Sequence, residues 1–346
     1  MKKKIYMFGN FGYRHNNLNG QTMRTRTIFE SLIKYTPEGN YIIQYTDTSI
    51  GANKKEKGLN YLKGLFKWLN SNIVIFLPAQ KAIKFISPLF YYLNFILKKD
   101  LHFIAIGGWL AEFLEGNRGY IKYFKKVNYI YVQTESLKNK LEYIGFDNVI
   151  YFPNFRLYNN KEISLSKVSK VKKVVFFSRV IKEKGIELAI SALNRINQGS
   201  DDKIELYIYG PIGEQYKEQF ETIKNNSSYI YYNGVLEPNE ILNELSKYDL
   251  MLFPTYYIGE GFPGTILDGM TAGLPVIASD WKYNSEVIKA GQTGLLFNNN
   301  DLEDLIKKMM ILINDTDLVN QMKKNAILES QKFEESKVVP KLISNL

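Results

Sequence analysis

Short apolar runs alternate along this chain with longer stretches of helical spacing. "KIYMFG" (4–9) is an apolar run closed by glycine, and "QTMRTRTIFESLIKY" (21–35) sets Ile28, Leu32 and Ile33 at helical intervals. "NIVIFL" (72–77), "HFIAIGG" (102–108) and "YIYVQT" (129–134) are short, rich in β-branched and aromatic residues, and bounded by turn residues, which marks them as strands. The pattern restarts at "KKVVFFSR" (172–179), followed by a helical "KGIELAISALNRI" (184–196) and further strand-like runs at 203–211, 229–234, 249–255 and 275–279. Strands separated by helix-length segments predict βαβ units and parallel sheets.

Between the two series, residues 156–171 are polar, rich in Ser, Lys and Asn, and without period; this is the best linker. A chain of 346 residues fits two domains of about 150 residues each. The expectation is an α/β protein of two doubly wound, Rossmann-like domains facing across a cleft. The domains run over 1–160 and 172–328, joined by 161–171, with a C-terminal helical segment over 329–346 interrupted at Pro340. In such sheets ligands sit beyond the carboxyl ends of the strands.

Composition narrows the chemistry. There is no cysteine, so disulfides, thiolate nucleophiles and Cys-bound metals are excluded, and two histidines, His15 and His102, cannot make a His-rich metal centre. No run of roughly 18 apolar residues predicts a membrane span. The start, "MKKKIYMFG", lacks the long apolar region and cleavage site of a signal peptide, so a cytoplasmic location is expected. Charge is divided unevenly. Residues 1–170 carry 26 Lys+Arg against 11 Asp+Glu, a balance of +15, whereas 171–346 carry 19 against 24, a balance of −5, which together give the net +10. Lysines also flank "KAIKFISPLFYYLNFILKK" (81–99), a segment dominated by Ile, Phe, Leu and Tyr. It is either a helix buried under the first sheet or an interfacial face. The basic first half favours contact with an anionic membrane surface, at the inner face of the plasma membrane. No nucleic-acid module accompanies the basic charge.

The chemistry-bearing stretch is "GEGFPGTILDGMTAGLPVIASD" (259–280). It follows the strand "DLMLFPT" and turns through Gly261, Pro263 and Gly264 into a short helix, whose free N–H groups and dipole form a cup for an anion or hydroxyl. At 100° per residue, Ile266, Leu267 and Met270 share a core-facing stripe, while Asp268 lies on the side of Gly264 and Thr271. Gly269 and Gly273 each cost roughly 1 kcal/mol in a helix, which calls for close packing of a ligand or a strand. Upstream, "FFSRVIKEKGIELAI" places Arg179 just past a strand end and Lys184 five residues on, beside Gly185. Two cations at a strand-to-helix turn suit a diphosphate. The only Asp-x-Asp, Asp315-Thr316-Asp317, lies in a polar turn far from these motifs and reads as a helix cap.

"SRVIKEKG", "YGPIG", "YNGVLEPNEILNELSKYDLMLFPT", the 259–280 stretch and "SEVIKAGQTGLLF" occur in an order and spacing that resembles the family-4 retaining glycosyltransferases of GT-B fold. The match is dense over 172–300 and thinner before it, where "PNF" (153–155) is similar to the end of the family's first domain and Asn19-Gly20-Gln21 to its glycine loop. The resemblance implies an acceptor-binding first domain, a nucleotide-sugar-binding second domain, and a last helix that packs back on the first. It implies that Arg179 and Lys184 neutralise the donor diphosphate and that Glu260 stands near the transferred sugar. Asp268, in place of the family's Glu, would meet the ribose hydroxyls. Asn233, Val235 and Leu236 would read the base edge, with Gly210 beside the nucleotide and Gly20 near the diphosphate. Backbone groups of Gly261, Phe262 and Gly264, with Pro263 and Thr265 in the same turn, would meet sugar hydroxyls or phosphate. The family's first-domain His has no counterpart: that strand ends "AIGGWL", and His102 sits at its other end.

The expected activity is therefore retaining transfer of a sugar, without a metal or cofactor, from a nucleotide-diphosphate sugar, UDP-sugars first. The acceptor is a saccharide or lipid-linked saccharide in surface polysaccharide assembly. The alternative of the same architecture is a nucleotide-sugar 2-epimerase, which needs further acids and a His that this chain scarcely offers.

Overall fold

The structure, a computed structural model, describes all residues except 1, 14–19, 38, 50–53, 79–81, 157–164 and 225–226. The chain divides into two compact units, Met1–Leu157 with Glu335–Leu346, and Tyr158–Glu334. Each holds one six-stranded sheet whose neighbouring strands all run parallel.

In the first unit the strands are β1 (Lys3–Gly9), β2 (Tyr41–Asp47), β3 (Ile73–Leu77), β4 (Asp100–Ile104), β5 (Tyr129–Val132) and β6 (Val149–Tyr151), in the order β2-β1-β3-β4-β5-β6. The central strands are buried on both faces, which is why they read as unbroken apolar runs. One face packs on helix α1 (Gly20–Tyr35) and the C-terminal turns, through Ile28, Leu32, Val338, Val339 and Leu342. The other carries helices α2 (Lys54–Leu69) and α3 (Ile83–Leu97), through Trp68, Ile83 and Phe90. The end of the chain is tied down by Glu335, which accepts hydrogen bonds from Ser31 and Lys34 of α1, each at 2.5 Å. Pro340 opens the last short helix, Pro340–Ile343, where its missing N–H costs nothing.

The turn after β1 is clamped from two sides. Asp47 at the end of β2, 1% exposed, accepts the amides of Phe11 (3.0 Å), Gly12 (3.4 Å), Tyr13 (3.1 Å) and Ser49 (2.9 Å), and the Ser49 hydroxyl (2.7 Å). Arg26 donates to the carbonyls of Phe11 (2.6 Å) and Gly12 (2.8 Å). A second arginine, Arg24, is buried between the rings of Phe152 and Phe155 and donates to the Pro153 carbonyl at 2.6 Å, fixing the segment that leaves β6. Burial, with Arg156 nearby, drives its pKa well down.

The second unit contains β7 (Lys173–Phe177), β8 (Glu205–Tyr209), β9 (Ile230–Tyr232), β10 (Leu250–Phe253), β11 (Val276–Ser279) and β12 (Gly294–Phe297), in the order β12-β11-β10-β7-β8-β9. The chain runs outward from β7 to β9 and then returns to the other side of β7, so the switch point lies between β7 and β10. Residues 165–171, expected as linker, are packed: Val168 and Val171 join the core, and Asn320 brackets the backbone of Val168 with bonds of 2.8 and 2.9 Å. Two valines in a polar stretch were enough apolar surface to dock it. Asp315 caps the helix Thr316–Ser330 through the Leu318 amide at 2.9 Å.

For Asp47, burial alone would raise the pKa, but the Ser49, Tyr13 and Phe11 donors outweigh it and hold the carboxyl below its ordinary value. A depressed folded-state pKa stabilises above the unfolded value, near 3.9, and that stabilisation is lost as pH falls through the lower folded value. Asp47→Ala should therefore destabilise the chain by roughly 2–4 kcal/mol at pH 7 and flatten the acid limb of a melting-temperature profile below about pH 4.

Candidate functional site

The site is built where three neighbouring strands end. β7 delivers Phe177 and Ser178, and Arg179 follows, exposed to solvent. The chain then makes a 3-10 turn over Lys182–Lys184 and enters the helix Ile186–Asn197 through Gly185. Gly185 has φ +78°, and a Cβ there would stand 2.0 Å from the Pro254 carbonyl oxygen. Only glycine lets the turn lie against the end of β10. That approach carries Lys184 across the switch point.

There Lys184 meets Glu260, Nζ to Oε2 at 2.5 Å, with the two side chains 8% and 11% exposed. The same oxygen accepts the hydroxyl of Thr255, itself buried, at 2.9 Å. Tyr257 lies between the cations: Arg179 and Lys184 both stand 5.2 Å from its ring centre, and Lys184 is 5.4 Å from that of Phe253. Both cations thus pack on one aromatic ring, a favourable cation–π arrangement.

The loop 254–263 is held by its surroundings. The Tyr256 amide donates to the Glu183 carbonyl (2.9 Å), the Ser279 hydroxyl to the Thr255 carbonyl (2.5 Å), and the Trp281 indole to the Tyr257 carbonyl (2.9 Å). Burial, then Glu183 and Glu187, raises the Tyr256 pKa, so its hydroxyl stays neutral. Thr255, Tyr257, Ser279 and Trp281 were not singled out from sequence. Their place at or just past the ends of β10 and β11 was the available signal.

The helix Gly264–Thr271 starts from Pro263, whose carbonyl accepts the amides of Ile266 (3.0 Å) and Leu267 (3.3 Å). The Gly264 amide returns to the Phe262 carbonyl at 2.9 Å, so that donor is engaged within the turn. The Phe262 ring points into the core against Phe333. Ile266, Leu267 and Met270 are fully buried; Asp268 is 6% exposed, and Gly261 and Thr265 are half-buried. Gly269 packs on a strand rather than opening to a ligand: a Cβ there would stand 2.4 Å from the Met251 sulfur of β10.

The loop after β9 is anchored by a polar network. The Asn233 amide group donates to the Tyr209 hydroxyl (2.9 Å), which donates to Glu244 (2.7 Å) and lies 2.7 Å from the Tyr248 hydroxyl. Burial favours a neutral Glu244, but Lys247 and the two tyrosines hold its pKa below the usual value. Burial, then the neighbouring Tyr209 and Glu244, push the Tyr248 pKa up. Gly210 closes β8, donating its amide to the Gly234 carbonyl at 2.8 Å. From this base Val235 projects into solvent, and Leu236 rests half-buried on the core.

Gly20 is the first residue of α1 in the first unit, with nothing within 4 Å of an added Cβ. His102 is fully buried in β4, its Nδ1 3.1 Å from the Tyr131 hydroxyl. His15 lies outside the described residues. Trp109 donates to the Ile106 carbonyl at 2.8 Å. Among the described residues no three His, Asp or Glu side chains group closely enough to hold a metal ion.

Residues 159–329 match the family described as Glycosyl transferases group 1. An uncharacterized glycosyltransferase of Methanocaldococcus jannaschii is 27% identical over 301 residues, 83% of this chain and 80% of that protein. The N,N'-diacetylbacillosaminyl-diphospho-undecaprenol alpha-1,3-N-acetylgalactosaminyltransferase of Campylobacter jejuni is 24% identical over 196 residues, 56% of this chain and 50% of that protein. The chain spans 36% to 80% of the length of three of its relatives. Among solved structures, Anabaena HepE in complex with UDP superposes with a TM-score of 0.74 at 14% identity, over 99% of this chain and 98% of that one. The shared architecture is GT-B.

Gly185→Ala tests the construction of the site. The added Cβ cannot coexist with the Pro254 carbonyl, so we expect a loss of roughly 3 kcal/mol or more, read as a lowered denaturant midpoint. A substitution within 0.5 kcal/mol of the native chain would show that the turn reaches β10 by another route.

Proposed function

Residues 159–329 belong to the glycosyl transferases group 1, and from that premise we propose that this chain transfers a sugar, with retention of anomeric configuration, from a UDP-sugar to a saccharide or lipid-linked saccharide acceptor. The observation that carries this is the convergence of Arg179, Lys184 and Glu260 at the switch point of the second sheet, where open α/β sheets take their ligands. The relatives named above are transferases, which favours transfer over 2-epimerisation of a nucleotide sugar.

In the reaction the bond from the anomeric carbon to the diphosphate breaks, a bond to the acceptor oxygen forms, and the nucleoside diphosphate departs with the negative charge. Arg179 presents a solvent-facing guanidinium suited to two phosphate oxygens. Lys184 is held in place by Glu260, itself braced by the Thr255 hydroxyl, before any ligand arrives, so its charge needs no reorganisation when the leaving group ionises. These two cations do the work that a metal ion does elsewhere. Glu260 also stands near the sugar, and the turn of Gly261, Phe262, Pro263 and Thr265 meets its hydroxyls or a phosphate, with the Gly264 amide holding the turn closed on the Phe262 carbonyl. Asp268 takes the ribose hydroxyls, while Asn233, Val235 and Leu236, beside Gly210, frame the base.

UDP as the donor nucleotide is supported by the Anabaena neighbour, solved with UDP bound. A lipid-linked acceptor is supported by the undecaprenol-linked substrate in the Campylobacter relative's name. We place the chain at the cytoplasmic side of the plasma membrane, where nucleotide sugars and lipid-linked saccharides meet.

Removing one preorganised donor of this kind costs about 10²–10³ in kcat, so Lys184→Ala should lose at least about a hundredfold. That substitution also strands the Glu260 carboxylate, at roughly 3–5 kcal/mol. Arg179→Gln, on an exposed side chain, therefore provides the comparison in which the fold is kept. Near-normal turnover of both variants with a panel of UDP-sugars would refute the assignment. Turnover in excess chelator should match that of the untreated enzyme; a loss restored by divalent cation would overturn the metal-free mechanism.

A further inference from the structure

Helices α2 and α3 each bury one stripe and expose a second apolar stripe on the opposite side. In α3, Ile83, Ser87 and Phe90 face the sheet. Phe85, Leu89, Tyr92 and Ile96, spaced i, i+4, i+7, i+11, face away, with Phe95 beside them; Phe85 is 82% exposed and Phe95 and Ile96 are 76% exposed. In α2, Gly64 and Trp68 face the sheet, and Leu59, Leu62, Phe66 and Leu69, spaced i, i+3, i+7, i+10, face away. A water-facing helix surface is normally polar; a helix apolar all round wants a second apolar environment.

The two helices adjoin. Trp68 of α2 packs on Phe90 of α3 with ring centres 4.0 Å apart, and Phe8 of β1 touches both Tyr61 and Phe90. Lys99, just past α3, donates to the Leu69 carbonyl at the end of α2 at 3.1 Å. Of the 19 large hydrophobic residues exposed among those described, ten lie on these two helices. That concentration makes a patch rather than scattered surface residues.

Charge decides what covers it. From 54 to 99 the sequence holds nine lysines and one glutamate, with no Arg or Asp. Lys55, Lys57, Lys63, Lys84 and Lys98 are exposed around the apolar stripes. A second copy of this chain would bring the same lysines face to face, which repels. A surface with negative headgroups over an apolar interior matches both features. No helix among the described residues is long and apolar enough to cross a membrane.

We propose that the outer faces of α2 and α3 form a docking surface for an anionic lipid bilayer. Phe66, Phe85, Phe95 and Ile96 enter the boundary between headgroups and acyl chains, and the surrounding lysines pair with headgroup phosphates. The proposal stands on the first unit alone and does not require the donor chemistry assigned above.

The test is flotation of the full chain with vesicles of phosphatidylcholine, with and without about one third phosphatidylglycerol. Binding should require the anionic lipid and weaken with salt, as expected for lysines near a charged surface. Phe66→Ser/Phe85→Ser/Phe95→Ser should lower the partition coefficient at least about tenfold, while the melting temperature and the cooperativity of unfolding persist, which separates loss of docking from loss of the fold. In Phe95→Trp, emission should shift to the blue on binding and be quenched by brominated acyl chains. Absence of flotation at low salt, equal flotation of the triple serine variant, or self-association that the triple variant abolishes would each overturn the proposal, the last by assigning the surface to a second copy.

Discussion

The ion pair between Lys184 and Glu260 is the constraint around which the second unit is arranged. Two charged groups at 8% and 11% exposure lose most of their hydration, and in such a setting the attraction repays the loss only with good geometry and further hydrogen bonds. The structure supplies both through the backbone. Gly185 lets the turn after β7 touch Pro254, Thr255 gives Glu260 a second donor, and Ser279 and Trp281 hold the carbonyls of the loop between them. Three strand ends therefore act as one rigid frame. A fixed ammonium, with an exposed guanidinium over the same Tyr257 ring, follows from that frame; it is the arrangement proposed above to receive a diphosphate.

The first unit has different priorities. Its turn after β1 is clamped by Asp47 and Arg26, and the segment leaving β6 by Arg24. One face of its sheet is closed by α1 and the last residues of the chain. The helices on the other face carry apolar residues on both sides, which folding alone does not require. Docking on a bilayer, as proposed above, would give the outer stripes a second environment.

How much of this could be read in the sequence depended on burial. β1, β3, β7, β10 and β11 were legible because strands covered on both faces need unbroken apolar runs. The strands not singled out, β2, β6 and β12, are all sheet edges, where β2 mixes Gln44 and half-buried tyrosines and β6 has only three residues. Arg179, Lys184 and Glu260 were legible as a spaced motif. Thr255, Tyr257 and Trp281 were not, because each acts through a contact with residues distant in sequence. Gly269 was ambiguous between ligand and strand until Met251 was found against it. The outer stripe of α3 could be seen as apolar but not as exposed, and α2 was missed because its two apolar stripes blur the helical period.

The most direct test is the affinity of UDP against that of uridine, measured by calorimetry on the native chain and on Arg179→Gln and Lys184→Met. If the two cations receive the diphosphate, UDP should bind the native chain at least about a hundredfold tighter than uridine, roughly 2.7 kcal/mol. Most of that ratio should vanish in the variants while uridine binding stays the same. A ratio unchanged by both substitutions would contradict the account.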